Sequence, residues 1–455
     1  MKALFTIFFA VQLHAAVDDA ELRKLMDNRV TGAKRAVGIV AGILDEKGQR
    51  ILAAGKRSAT DSQAPDGDTV FEIGSITKTF TAILLADMVL KGEVKLEDPV
   101  SKYLPDTVKV PAYENRVITL KDLTTQTSAL PRMPSNFHPA DASNPYADYT
   151  VAQMYEFLSG VTLKRAPGEK YEYSNLGVGL LGHALSRRAG VSYEELVTQR
   201  ILKPLGMTRT SITLSAAQKS NMAMGHTEKL APTSNWDLPT FAGAGALRST
   251  ANDMLRFLAA NLGPADTPLR KAIAMTHVIQ SPTGSADLSI AMGWHVFEKP
   301  NATVIWHNGG TGGYRTWAGF SEDKRTAVVV LCNTSFGVDD LGLHAISNVY
   351  PARMFEPPVV KKEISLAPEA MRPLVGRYQL APTFILTVTE GEGSLWVQAT
   401  GQPKFRMYAE APMGFFIKEV EASFSFEKSE SGDIKALTLH QNGANPKAPR
   451  IAEPK

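Results

Sequence analysis

Apolar, strand-like runs stand at both ends of the first 350 or so residues, and helical patterning fills the stretch between them, from about residue 120 to 280. Near the start, Val37-Gly38-Ile39-Val40-Ala41-Gly42-Ile43-Leu44 reads as a buried strand. Asp45-Glu46-Lys47-Gly48 reads as a turn and residues 49–54 as the returning strand. Residues 293–297, 302–306, 314–320 and 326–331 then read as consecutive antiparallel strands, with 321–325 as the last turn. A sheet drawn from both ends around a helical middle fits an α+β domain with one antiparallel sheet. A first helix is expected over 18–30, from Leu22, Leu25, Met26 and Val30, with Asp18 or Asp19 as its cap. A second runs from Ser75 to Lys91 and stops at Gly92. Ser249-Thr250-Ala251-Asn252-Asp253 opens a third, and one over 339–349 packs on the sheet.

Composition changes after residue 350. Pro351, Pro357, Pro358, Pro368 and Pro373 with Lys361-Lys362 give 351–373 the character of a linker. Beyond it, seven short alternating segments lie at roughly ten-residue spacing, over 376–380, 384–389, 394–399, 405–408, 415–418, 422–427 and 434–441. That pattern reads as a small all-β barrel or sandwich over 374–455. At the N-terminus, Lys2, the apolar run 3–13 and His14-Ala15-Ala16 read as a signal peptide over 1–16, which implies a secreted or periplasmic protein and leaves 17–350 for the first domain. An ordinary buried helix is the alternative. The run is too short to span a bilayer, and no later stretch is long enough.

Net charge is +3, from 49 Lys+Arg against 46 Asp+Glu, too balanced for nucleic acid as the main partner. The single cysteine, Cys332, excludes an internal disulfide framework and a cysteine-built zinc site. Its apolar surroundings mark it as a buried, inert thiol.

Three motifs carry chemistry. Gly74-Ser75-Ile76-Thr77-Lys78 places Lys78 one turn beyond Ser75 at a helix start, where an amine can take the hydroxyl proton and backbone N–H groups face the nucleophile. On its own this describes more readily a capping serine and a surface lysine. Tyr173-Ser174-Asn175 offers a phenol whose pKa a neighbouring ammonium would lower, and an amide. Alone, it describes more readily a buried tyrosine with a turn asparagine. Trp306-His307-Asn308-Gly309-Gly310-Thr311-Gly312-Gly313-Tyr314 is a strand end turning into a glycine-rich loop, or merely a tight hairpin.

In this order and spacing the motifs resemble the penicillin-recognising serine hydrolases, the β-lactamase and DD-peptidase superfamily, and most closely its class C branch with its esterase and D-aminopeptidase relatives. Ser75 to Tyr173 is 98 residues and Tyr173 to His307 is 134. The resemblance covers about residues 18–350 and implies a β-lactamase/transpeptidase-like α/β sandwich. The tail resembles the lipocalin-like β-domain often fused to such enzymes, with Gly401-Gln402-Pro403 and Gln441-Asn442-Gly443 typical of it.

The resemblance implies an acyl hydrolase that needs no metal or cofactor and acts on a small molecule: a β-lactam, with antibiotic resistance as the consequence, or an ester or D-amino-acid peptide. Ser75 would be the acylated nucleophile, Lys78 its activator and Tyr173 the general base. Asn175 would orient the acyl amide, and Ser75 and Gly310 N–H groups would form the oxyanion hole beside Gly309. His307 stands where class C enzymes usually carry lysine. Its imidazole is expected to titrate near pH 6.5 and to read a substrate carboxylate when protonated. A second departure is Arg132-Met133, where class C enzymes commonly carry a glutamine that holds the acyl amide. A penicillin-binding sensor without turnover is the alternative from another class.

Overall fold

The computed structural model describes residues 17–452 apart from 264–266, 301, 358–360, 421 and 442–443. The expected signal peptide lies outside the described residues, as do Asn442 and Gly443. The chain divides into two compact units after Pro357.

The first unit is built on an eight-stranded antiparallel sheet: β1 (Gly38–Asp45), β2 (Gly48–Gly55), β3 (Ser281–Pro282), β4 (Leu288–Ile290), β5 (His295–Phe297), β6 (Val304–Gly310), β7 (Arg315–Ser321) and β8 (Ala327–Cys332). Their order is β2-β1-β8-β7-β6-β5-β4-β3, so β1 from the start of the chain pairs with β8 from the end. The last two strands of that order, β4 and the edge strand β3, are too short to show alternation in the sequence.

Period-two alternation splits β7 and β8 between two cores. Trp317, Val328, Val330 and Cys332 face a cluster shared with α1 (Asp19–Asp27) and a helix near the end of the unit, Asp339–Ile346. Ala318, Phe320, Val329 and Leu331 face the helical region, where Ala251–Leu262 packs against the sheet. Asp18 caps α1 by accepting the Glu21 N–H at 2.7 Å. The buried Arg29 follows, bonded to Asp340 at 2.6 Å, which ties both ends of the unit together.

Two expectations fail in detail. The helix carrying Ser75 begins as a 3-10 turn over Gly74–Ile76, and the α-helix proper, α2, is Thr77–Leu90. Strand β6 does not end before the glycines but runs through Gly310, paired with β7 from Val304↔Ser321 to Gly310↔Arg315. The reversal lies at 311–314, where Thr311 N–H donates to the Tyr314 carbonyl at 3.1 Å. Glycine remains extended there because another segment lies against it. A Cβ on Gly309 would sit 1.9 Å from the Ile73 carbonyl oxygen.

The second unit is a closed barrel of eight antiparallel strands, from Gly376–Ala381 to Lys447–Ile451. The eighth strand, absent from the sequence expectation, closes the barrel by pairing Ile451 with Arg377 and Arg450 with Tyr378. Its Pro449, with Pro446 just before it, reads as loop, since proline cannot donate to a ladder. Tyr378, Leu386, Leu395, Phe415 and Leu437 fill the interior. Part of the stretch expected as linker belongs here: Ile364 N–H donates to Ala409 at 2.8 Å, and Met371 is buried in the barrel core.

Candidate active site

The nucleophile turn is fixed from both sides. Gly74 has φ +51°, and a Cβ on it would sit 2.7 Å from the Gly310 nitrogen. Thr316 on β7 donates to the Ile73 carbonyl at 3.0 Å, and Ile73 N–H donates to Leu247 at 3.1 Å. These contacts press residues 73–75 against the open end of β6, and α2 starts with its N–H groups directed there.

Lys78, 1% exposed, extends back along that end. Its Nζ donates to Ser75 Oγ at 2.9 Å, to Asn175 Oδ1 at 2.9 Å and to the Ala244 carbonyl at 2.7 Å. Burial, reinforced by the Arg132 charge, pushes its pKa well below the usual lysine value.

Tyr173 and Asn175 sit where α3 (Asn175–Ala189) begins. Ser174 caps that helix, accepting the Gly177 N–H at 2.8 Å and donating to the Pro131 carbonyl at 2.7 Å. The Asn175 and Leu176 N–H groups donate to the Arg132 carbonyl at 3.1 and 3.3 Å. Tyr173 is flanked by two basic side chains, with Lys78 Nζ 4.9 Å and the Arg132 guanidinium 5.1 Å from its ring centre. The phenol was expected to have a lowered pKa. Burial instead raises it above 10, and the hydrogen bond with Ser75 and the Arg132 charge offset only part of that. The expected lowering does not appear because desolvation of the enclosed phenol outweighs both.

His307 is brought to the same cleft, its ring centre 6.2 Å from that of Tyr173. The expected titration near pH 6.5 fails. Burial, with smaller contributions from His295 and Lys78, drives its pKa well below 6.5, and it is 1% exposed. Nδ1 lies 2.5 Å from the Asn308 carbonyl, which can only accept, so Nδ1 carries the proton and Nε2 is a lone pair. His307 is therefore neutral across the physiological range and offers no charge to a carboxylate.

Several residues of the site escaped the sequence reading. Gln126 Oε1 accepts the Ser174 N–H at 2.7 Å, and Tyr146 accepts from Asn175 Nδ2 at 3.2 Å. His295 on β5 lies 5.0 Å from His307, ring to ring, and its Nε2 lies 3.0 Å from the Tyr171 hydroxyl. Burial first, then Lys78, lowers its pKa to about 4. None of the three stands in a motif; each arrives through a fold contact. Cys332 is buried on the far core, its thiol pushed up to about 11 by desolvation.

Residues 19–348 match the family model described as Beta-lactamase, and 360–449 match one described as a domain of unknown function (DUF3471). The chain is 32% identical over 332 residues to the D-alanyl-D-alanine-carboxypeptidase/endopeptidase AmpH of Escherichia coli (strain K12), covering 67% of this chain and 84% of that protein. It is 26% identical over 352 residues to a Beta-lactamase of Pseudomonas fluorescens, covering 70% and 94%. The structure of a Beta-lactamase/D-alanine carboxypeptidase from Yersinia pestis superposes with a TM-score of 0.61 at 25% identity, covering 73% of this chain and 98% of that one. The sheet built from both chain ends and the matched span of residues agree: the chain belongs to the Beta-lactamase family and is a serine hydrolase of that type.

Proposed function

We propose that the chain cleaves β-lactams, or the D-alanyl amides that they mimic, through an acyl-Ser75 intermediate. The observation that supports this best is Lys78 Nζ standing 2.9 Å from both Ser75 Oγ and Asn175 Oδ1 in a site that disfavours its charge. A neutral amine there takes the Ser75 proton as Oγ attacks the carbonyl carbon. The oxyanion forms against the Ser75 and Gly310 N–H groups. Tyr173, a neutral phenol beside Ser75, gives its proton to the leaving nitrogen as the C–N bond breaks and regains one from the Lys78 ammonium. In deacylation, water loses its proton to the same pair and Ser75 leaves protonated. Asn175 holds the acyl amide, and the neutral His307 with Gly309 lines the opposite wall.

A D-alanyl carboxypeptidase reading has its own support: His307 lacks a charge, and AmpH carries that activity in its name. The two separate on time-resolved mass spectrometry of the protein with a penicillin. Loss of the Ser75 adduct within minutes means a β-lactamase, and persistence means a penicillin-binding carboxypeptidase. No adduct at all overturns both. Small esters are further substrates on this reading, since acyl transfer to Ser75 needs only an activated carbonyl. Lys2, the apolar run 3–13 and Ala15-Ala16 support export to the periplasm or beyond the cell. Among the described residues, no helix is long and apolar enough to cross a membrane.

A further inference from the structure

The cleft requires a cation for an anionic substrate, and the third motif does not supply one. His307 is neutral and buried, and so is His295 beside it. Lys78 is enclosed, its Nζ within hydrogen-bond distance of Ser75 Oγ, Asn175 Oδ1 and the Ala244 carbonyl, which leaves no side of it open to a substrate anion. Arg315, opposite Gly310, bonds the Thr311 and Tyr314 carbonyls at 2.8 and 2.9 Å. Arg132 differs from all of these. Its side chain is exposed, its guanidinium stands 5.1 Å over the Tyr173 ring, and among the described residues no carboxylate pairs with it.

The position of Arg132 is also fixed. Its carbonyl accepts from Asn175 and Leu176, and the preceding Pro131 carbonyl accepts from Ser174, so its backbone is bound to the start of the helix that carries the site. Stacking on Tyr173 restricts a long side chain that would otherwise lose rotamer freedom on binding. A guanidinium keeps its charge at any working pH and presents paired N–H donors to a carboxylate.

We infer that Arg132 is the anion-reading residue of this cleft, binding a substrate carboxylate from the Tyr173 wall rather than from the strand. The inference rests on Ser75 being the acylated nucleophile. The shared chemistry is a carboxylate, either beside the lactam nitrogen or on the acyl side chain.

The experiment uses benzylpenicillin, its methyl ester, which lacks the ring carboxylate, and its α-carboxylated analogue, which adds one on the acyl side. Binding to Ser75→Ala and kcat/KM of the otherwise unaltered chain are measured for each, with and without Arg132→Gln. In one of the two pairs the extra carboxylate is expected to tighten binding about tenfold, and Arg132→Gln to remove that gain. The pair that responds identifies the source. Arg132→Lys should restore part of the gain, and salt should weaken it. Ratios within a pair cancel any change passed through Lys78 or Tyr173. Equal affinities within both pairs, or a preference that survives Arg132→Gln, overturn the inference. Failure of the acyl-Ser75 reading shows separately, as no mass adduct on the chain with Ser75 intact, while the Ser75→Ala binding data still test Arg132.

Discussion

Lys78 donates to three oxygens while almost wholly enclosed, and the two conditions pull its charge in opposite directions. Three acceptors favour the ammonium. Burial and the Arg132 charge favour the amine, and they prevail. The active form for acylation is then the one present above the lowered pKa, so kcat/KM should rise with pH through that value and level off well below the usual lysine range. Lys78→Ala and Tyr173→Phe should each slow acylation by about a thousandfold or more, and the double variant should be little worse than either, since the pair moves one proton. Stopped-flow acylation rates that multiply cleanly would separate their roles. Ser75→Ala should abolish turnover with an unchanged circular dichroism spectrum. His307 supplies a contrasting outcome. Because its pKa is lowered well below 6.5, it gains no proton as pH falls through that value, and KM for a carboxylate-bearing β-lactam should be flat there relative to a neutral ester. A KM that falls selectively for the acid near pH 6.5 would show a charged imidazole. Ser75, Lys78, Tyr173 and Asn175 were legible because they stand in short motifs at characteristic spacing. The charge states were not, because they depend on burial that no motif encodes.

At the scale of the element, the site depends on a strand and a turn approaching more closely than side chains allow. Gly309 and Gly74 both lack the Cβ that would collide with the opposing backbone, at 1.9 Å from the Ile73 oxygen and 2.7 Å from the Gly310 nitrogen. Gly309→Ala should separate β6 from residues 73–75, lower stability by roughly 1–3 kcal/mol through overpacking, and reduce kcat far more than KM, because the Gly310 N–H would leave the oxyanion's position. Thermal denaturation with steady-state kinetics on one ester tests this; a stable variant with intact kcat would show that the approach is not needed. The sequence shows the glycine cluster but gives two readings of it, loop or close approach. Only the partner segment, more than 230 residues away in the chain, decides between them. The same holds for the barrel's eighth strand, whose proline reads as loop until its pairing with the first strand is seen. The long paired runs β1, β2, β7 and β8 were legible because their apolar residues dominate their own segments.

At the scale of the whole molecule, the barrel has a core of its own, separate from the two that flank the sheet of the first unit, which predicts two separately folding units. The motif residues all lie before Pro357, so residues 17–357 alone should fold and keep most of their activity on a small ester. A folded but inactive fragment would mean that the barrel supplies a catalytic group. The two units should also differ in their response to acid. In the first unit burial lowers the pKa of His183, His226, His277, His295 and His307, with His183 and His295 at about 4 and His277 at about 3. A histidine lowered on folding binds fewer protons in the native state than in the unfolded one. Stability is then full above the unfolded value near 6.5 and is lost as pH falls below it, by at most about 1.4 kcal/mol per pH unit for each. Glu72 and Asp339, raised by burial, act in the opposite sense, from the carboxylate range upward. The barrel contains a single histidine, the part-exposed His440. Scanning calorimetry of the full chain at about pH 7.5 and pH 5.5 should therefore show the hydrolase transition falling by roughly 5–10 °C while the barrel transition moves little. Transitions that shift together would mean that the two units unfold as one.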